Sequence, residues 1–289
     1  MWDPSADVLW SVLNGPSHLY KLVFDENAGE FVAASGWSSP ATLTFPGGGG
    51  QPDSEGVTLD SAGNVLVSTE RDNLQSGISR LSVLRFDASG GSGTLEALTE
   101  WNLTATLGGQ GVIAAANAGL EALTFIPDAE AVAAGLMDAE GGGLYDPAAL
   151  GPHLGGVVVV GVEATGEVFL FNLFEDGSHG LLARADPGLG AIMSLEWDFE
   201  SAALWAGCDN TCSNRMAVMT VDGQAGATQG QFVVAQLLDR PSGLANDNNE
   251  GLAISPSVGG ERRVVWARDG GGDGQSLWMT DLPSGAPCL

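Results

Sequence analysis

Basic residues are scarce in this chain. Ten lysines and arginines stand against 36 acids in 289 residues, Lys21 is the single lysine, and the formal charge is −26. That balance argues against nucleic acid, whose binding needs cationic side chains to release counterions. It argues equally against anionic membrane surfaces. Long apolar runs are lacking too. Val157 to Val160 is strand length, and no apolar run approaches the ~18 residues that span a bilayer. Histidine is confined to His18, His153 and His179, which lie apart along the chain, so each reads as structural or exposed. There is no G-x-S-x-G elbow and no phosphate-cradling Gly-Lys-Ser/Thr, which excludes the commonest serine-hydrolase and nucleotide-binding machinery. No charged-then-apolar leader opens at Met1.

Glycine, in contrast, is abundant: 43 of 289 residues, about twice the usual share of roughly 7%. With only 16% charged residues, this composition suits short strands joined by tight turns. A phrase then recurs. Asn249-Glu250-Gly251-Leu252-Ala253-Ile254 is one copy and Ser54-Glu55-Gly56-Val57-Thr58-Leu59 is another. Leu120-Glu121-Ala122-Leu123-Thr124-Phe125 is a third. Met193-Ser194-Leu195-Glu196-Trp197-Asp198 is a fourth, with Met193 in the glutamate position. Each alternates apolar with small or polar residues and closes on a turn, which is a strand pattern. A second strand follows each, ending on Asn14, Glu70, Glu163, Asp209 or Asp269. A third usually closes on aspartate, and a fourth is visible in Thr94 to Leu103 and Gln231 to Leu238.

Four antiparallel strands repeated five times predict an all-β fold, a β-propeller of about five blades. The expected blades are 1–45, 46–112, 113–190, 191–243 and 244–289, with a β-sandwich as the alternative. Trp2-Asp3-Pro4 matches only the end of the repeated phrase. The first blade is therefore expected to lack its inner strand, the last its outer one, and ring closure to be weak. The chain starts inside a repeat, and a leader could precede that point. Ala129 to Gly155 reads as an insertion in the third blade, opening with a helical turn or two. Trp10, Trp205 and Trp266 recur in second strands and read as interblade core.

Inner-strand starts lie beside second-strand ends in such a sheet. Glu55, Glu121 and Glu250 therefore meet Glu70, Glu163, Asp209 and Asp269 at one channel mouth, with Asn14 in the equivalent position of the first blade. Glu196 is expected to project into the channel. These acids either solvate the rim or hold a cation, and oxygen-only donors without histidine suit Ca²⁺. Asp247, Asn248 and Asn249 add oxygens, or simply form a turn. Arg71, Arg215 and Arg268 flank second-strand ends, where they grip an anion or pair with the acids. Cys208 and Cys212 fit a disulfide across a hairpin tip, which implies an oxidising compartment, or else two free thiols. Cys288 is left over.

Glu-Gly-φ-x-φ-Asp openings, Ser68-Thr69-Glu70-Arg71-Asp72, Leu204 to Cys212 and Asn248-Asn249-Glu250-Gly251 resemble the secreted bacterial phytase-like propellers, the "esterase-like activity of phytase" family. The resemblance covers most of the chain. It implies export, to the periplasm or outside the cell, and calcium-assisted phosphoester chemistry. On that reading Glu55, Glu121, Glu250, Glu70, Glu163 and Asp269 are metal ligands, and Glu196 or Asp209 is the general base. Arg71, Arg268 and Asn249 would contact substrate. Two alternatives stay open: lactone or carboxylic-ester hydrolysis on the same scaffold, and a non-catalytic binding propeller. A small-molecule or phosphoester substrate and a monomeric state are expected, with no membrane span and no nucleic acid.

Overall fold

The computed structural model describes every residue except 114, 258, 271–275 and 284–289; Cys288 lies outside the described residues. Five sheets stand in a ring, a five-bladed β-propeller rather than a sandwich. From channel to rim, blade 2 runs Pro52–Leu59, Val65–Asp72, Ser79–Phe86 and Thr99–Asn102. Blade 3 runs Leu120–Pro127, Gly156–Val162, Glu167–Leu173 and His179–Ala185. Blade 4 runs Ser194–Asp198, Ala203–Gly207, Met216–Val221 and Phe232–Leu238. Blade 5 has Asn249–Ile254, Glu261–Arg268 and Leu277–Pro283, and no fourth strand among the described residues.

Blade 1 departs from the others at both edges. Its inner strand is Trp2–Asp3 alone, paired to Leu9 and Val8. Outside Val8–Leu13 and His18–Asp25, the rim is shared by Glu30–Ala33 and Ala41–Thr44, both on the third strand. The stretch expected as one fourth strand, Thr94 to Leu103, is two. Thr94–Glu96 crosses over to pair in parallel with Ala41–Thr44 of blade 1, and Thr99–Asn102 completes blade 2. The crossing is fastened by Gly47 N–H donating to Glu96 Oε1.

Blade faces pack on neighbouring blades, which explains the buried apolar stretches within the second strands. Val157 to Val160 are all fully buried. Trp10 packs with Val65, Val67 and Leu84 between blades 1 and 2, and Trp205 with Trp266 between blades 4 and 5. Blade 5 meets blade 1 through a smaller cluster, Trp2 and Leu9 against Ala253 and Val265. Arg263 ties that seam, ion-paired to Glu26 and lying over the Phe24 ring. Among buried contacts between blades 4 and 5, Arg262 grips Asp198 through two hydrogen bonds, at 3.0 and 2.5 Å.

The blade 3 insertion opens with a helix, Asp128–Ala134, and continues into a small hairpin of Met137–Asp138 and Gly143–Leu144. Its base is held by Asp128, which accepts from the Tyr145 hydroxyl and contacts His153 Nε2. His153 is accounted for by that contact. His179 contacts the Thr106 hydroxyl.

Candidate functional site

The glutamates of the repeated phrase do not sit on regular strand. The pairing register shifts between Ser54 and Val57, between Leu120 and Ala122, and between Asn249 and Gly251. Glu55, Glu121 and Glu250 therefore each lie on a β-bulge, the device that re-aims a side chain out of the alternation. Glu70 lies on another, between Thr69 and Arg71. Blade 4, with Met193 at this position, pairs regularly through Ser194–Asp198 and presents no glutamate there.

At two of these bulges a close approach explains the glycine that follows. A Cβ on Gly56 would come within 2.5 Å of the Leu123 backbone nitrogen, and one on Gly251 within 2.7 Å of Ala267 Cβ. Gly56→Ala is accordingly expected to cost about 1–3 kcal/mol, the usual penalty for overpacking. A denaturant midpoint unchanged from wild type would contradict that reading of the Glu-Gly phrase.

The mouth opens on a cavity of about 740 Å³ lined by Asn14, Glu55, Glu121, Glu250, Arg268 and Asp269, with apolar walls beneath. Second-strand ends of one blade face strand starts of the next. Asn14 hydrogen-bonds Glu55, Glu70 hydrogen-bonds Glu121, and Asp209 acts electrostatically on Glu250. Burial and mutual repulsion hold these acids towards the neutral form. Glu55 is raised well above the usual range, by burial first and then by Asp53, Glu70 and Glu250. Glu121 is pushed up to about 11 by burial and by Glu55 and Glu70. Glu70 and Glu250 reach about 7, mainly through burial, with Asp269 and Asp209 adding to Glu250. Glu163 is raised by burial and by Asp209.

Asp53 escaped sequence reasoning. Its carboxylate, with those of Glu55 and Glu70, offers oxygens that all lie within 4.8 Å of one another. The signal was positional: Asp53 stands two places before Glu55, as Asn248 stands before Glu250 and donates to it. Arg71 sits against the same acids, 2.6 Å from Asp53 and 3.0 Å from Glu70. Arg268 is ion-paired with Asp247 at 3.0 Å, and Arg215 Nε donates to the Cys212 carbonyl.

Other expected site residues are placed differently. Glu196 does not join the mouth: it lines a second cavity of about 230 Å³ with Asp3, Thr58, Asp60 and Thr124, near the inner-strand ends. It accepts from Ile254 N–H, and burial raises it to about 7. Two residues separate it from the Met193 position, enough to carry it towards the opposite end of the channel. Asn249 is buried, and its amide nitrogen donates to Asn214 Oδ1 and the Ala245 carbonyl, so that group supports the loop. Asp209 caps the short helical turn Asn210–Cys212 by accepting from Thr211 N–H and Oγ1–H. Cys208 and Cys212 form a disulfide around that turn.

The family described as "Phytase-like: Esterase-like activity of phytase" matches residues 14–270. The chain belongs to this phytase-like family. No curated protein matches it. Among solved structures, this phytase-like chain is similar to a putative 6-phosphogluconolactonase from Bacteroides uniformis, at 14% identity and TM-score 0.47, over 98% of this chain and 84% of that one. It is similar to a Lactobacillus plantarum protein at 11% identity and TM-score 0.45, over 96% and 68% of the two chains. The periplasmic gluconolactonase of Pseudomonas aeruginosa matches at 14% identity and TM-score 0.40, over 98% and 85%. Likenesses this distant carry no argument about chemistry. No helix among the described residues is long and apolar enough to cross a membrane.

Proposed function

We propose that the acidic mouth of this phytase-like propeller is a cation-assisted hydrolytic site for esters. The observation that carries the reading is the crowding of half-buried and buried carboxyls on bulges aimed at one cavity. Unlike a solvated rim, such a set is poorly satisfied unless protons or a cation neutralise it. Every donor is oxygen, which suits a hard ion, and Ca²⁺ tolerates the irregular carboxylate sets found here. Asp53, Glu55 and Glu70 would hold it, with Glu121 and Glu163 beside them. A bound ion there would polarise the ester oxygen as a Lewis acid.

The remaining acids suit proton transfer. Glu250, raised to about 7, takes a proton from the attacking water, because a base poised near the working pH is the most effective. Water oxygen bonds to the ester carbon or phosphorus, and the bond to the leaving alcohol oxygen breaks. Glu121, held as the carboxylic acid, supplies the proton that the alcohol carries away. Asp209 assists by its charge rather than by contact, since its Oδ1 is engaged with Thr211.

Arg71 and Arg268 are already paired with acids. That favours an uncharged carboxylic ester or lactone over a multiply phosphorylated substrate. The disulfide and the family support action outside the cytoplasm. Glu250→Gln is expected to lower kcat about 10²–10⁴-fold on a chromogenic ester, with KM little changed. Glu30→Gln, on an exposed edge of blade 1, should leave both constants alone. A wild-type chain that hydrolyses neither carboxylic nor phosphate esters, with or without Ca²⁺, would leave a binding propeller instead.

A further inference from the structure

The chain entering blade 5 is held at the mouth by a side chain of blade 4. Asn214 lies in the hairpin between Ala203–Gly207 and Met216–Val221, and it is buried. Its amide nitrogen donates to Asn246 Oδ1 at 2.8 Å and to the Asp247 carbonyl at 3.1 Å. Its Oδ1 accepts from Asn249 Nδ2 at 2.9 Å. Both ends of one amide are thus engaged by the residues that lead into and begin the inner strand Asn249–Ile254.

The turn that presents Asn214 is tightly closed. Cys208 and Cys212 are disulfide-bonded across it. The Asp209 carbonyl accepts from Cys212 N–H at 3.3 Å and from Asn214 N–H at 2.7 Å. Ser213 and Asn214 both adopt left-handed backbone, at φ 68° and 55°. Non-glycine residues stay in that region where their surroundings dictate it, and asparagine tolerates it better than most. What Asn214 holds bears directly on the mouth. Asn248 Nδ2 donates to Glu250 Oε1 at 2.7 Å, the Asn248 carbonyl accepts from Asp269 N–H at 2.8 Å, and Asp247 is ion-paired with Arg268. Glu250 itself sits on the bulge between Asn249 and Gly251, where strand pairing alone does not aim its side chain. Blade 2 holds the approach to Glu121 with charged groups. There Arg71 donates to the Ala116 carbonyl, and Glu70 accepts from Gly119 N–H. At blade 5 the corresponding clamp is a neutral amide.

We propose that Asn214 is a positioning residue of the mouth. Presented by the disulfide-closed turn, it fixes the segment from Asn246 to Asn249. Through Asn248 and the bulge at Asn249, it sets the direction of the Glu250 carboxyl. The kinetic consequence rests on the reading of Glu250 as the base; the hold on the segment does not.

Asn214→Gly keeps the left-handed backbone and removes only the amide. Exchange of the Asn249 backbone amide is expected to quicken about tenfold or more in this variant, while exchange at Val67 in blade 2 stays as in wild type. On a chromogenic ester, kcat is expected to fall about tenfold with KM little changed, the cost of a misplaced group. In a Glu250→Gln background the same substitution should lower kcat no further, because its effect passes through Glu250. A residue that only stabilised the fold would lower kcat equally in both backgrounds. That result, or unchanged exchange at Asn249, would overturn the proposal. A wild-type chain that hydrolyses no ester removes the hydrolytic reading alone, and exchange at Asn249 then decides this one. Should Asn214→Gly not fold, the turn is loosened in the unsubstituted chain by a dithiol, whose sulfurs form a disulfide as Cys208 and Cys212 become thiols. Exchange at Asn249 should then rise about threefold or more, and no rise would overturn the proposal.

Discussion

With chelator present, the protein is expected to melt about 5–10 °C higher at pH 5.5 than at pH 8. Most proteins lose stability on acidification across this range, because paired carboxylates must be protonated. Here the mouth acids are shifted the other way. Glu70 and Glu250 rise from 4.5 to about 7, Glu121 to about 11, and Glu55 and Glu163 also rise. Their charged neighbours are Asp53, Asp209 and Asp269, with Arg71 and the Asn14 and Asn248 amides opposing. With Glu196 also raised to about 7, against the lowered His179 imidazole and Met1 amine, the raised acids outnumber the opposing groups and the folded chain binds more protons than the unfolded chain above pH 4.5. Stability falls as pH rises through about 7, and falls further towards the Glu121 value. Exposed Asp87, Asp176 and Asp222 are lowered from 3.8, so they titrate below this window. Differential scanning calorimetry from pH 5 to 9 measures the slope. A melting temperature that rises with pH in chelator would remove the crowded mouth from the energetics.

Loss of the Arg262 guanidinium is the second large effect. Arg262 and Asp198 are both buried, and the pair joins the second strand of blade 5 to the inner-strand end of blade 4. Among the described residues, Arg262→Ala leaves Asp198 with Glu200 N–H and the Ser201 hydroxyl as donors. Breaking a buried pair from one side costs about 3–5 kcal/mol, a fall of roughly 10 °C in a chain of this size. The double variant Arg262→Met, Asp198→Leu should lose less than Arg262→Ala, because no buried charge is then left unpaired. Double-variant melting as low as that of the single would mean the pair contributes by shape, not by charge.

The blade count and the mouth were legible because both come from local chemistry. Glu-Gly marks a bulge whose next residue is pressed onto a neighbouring strand, as at Gly56 and Gly251, whereas Glu121-Ala122 keeps the bulge without the glycine. The disulfide was legible from spacing, since Cys208 and Cys212 bracket one turn. What escaped the sequence was long-range. Thr94–Glu96 alternates like its neighbours, and nothing local reveals a parallel partner some fifty residues earlier. Glu196 shares the inner strand of blade 4 with the Met193 position, but alternation does not report depth along the channel. Asn249 looks like a free oxygen donor in sequence, whereas its amide is held by Asn214 from blade 4.

The central claim is that the mouth binds a hard cation through Asp53, Glu55 and Glu70. Isothermal titration of chelator-stripped protein with Ca²⁺ at pH 8 tests it most directly, with Glu55→Gln as the comparison. Saturable binding is expected, weakened at least tenfold in the variant, with protons released as the ion replaces them. Binding should also raise the melting temperature with Ca²⁺ concentration and flatten its dependence on pH. No saturable heat, or equal affinity in Glu55→Gln, would contradict the account.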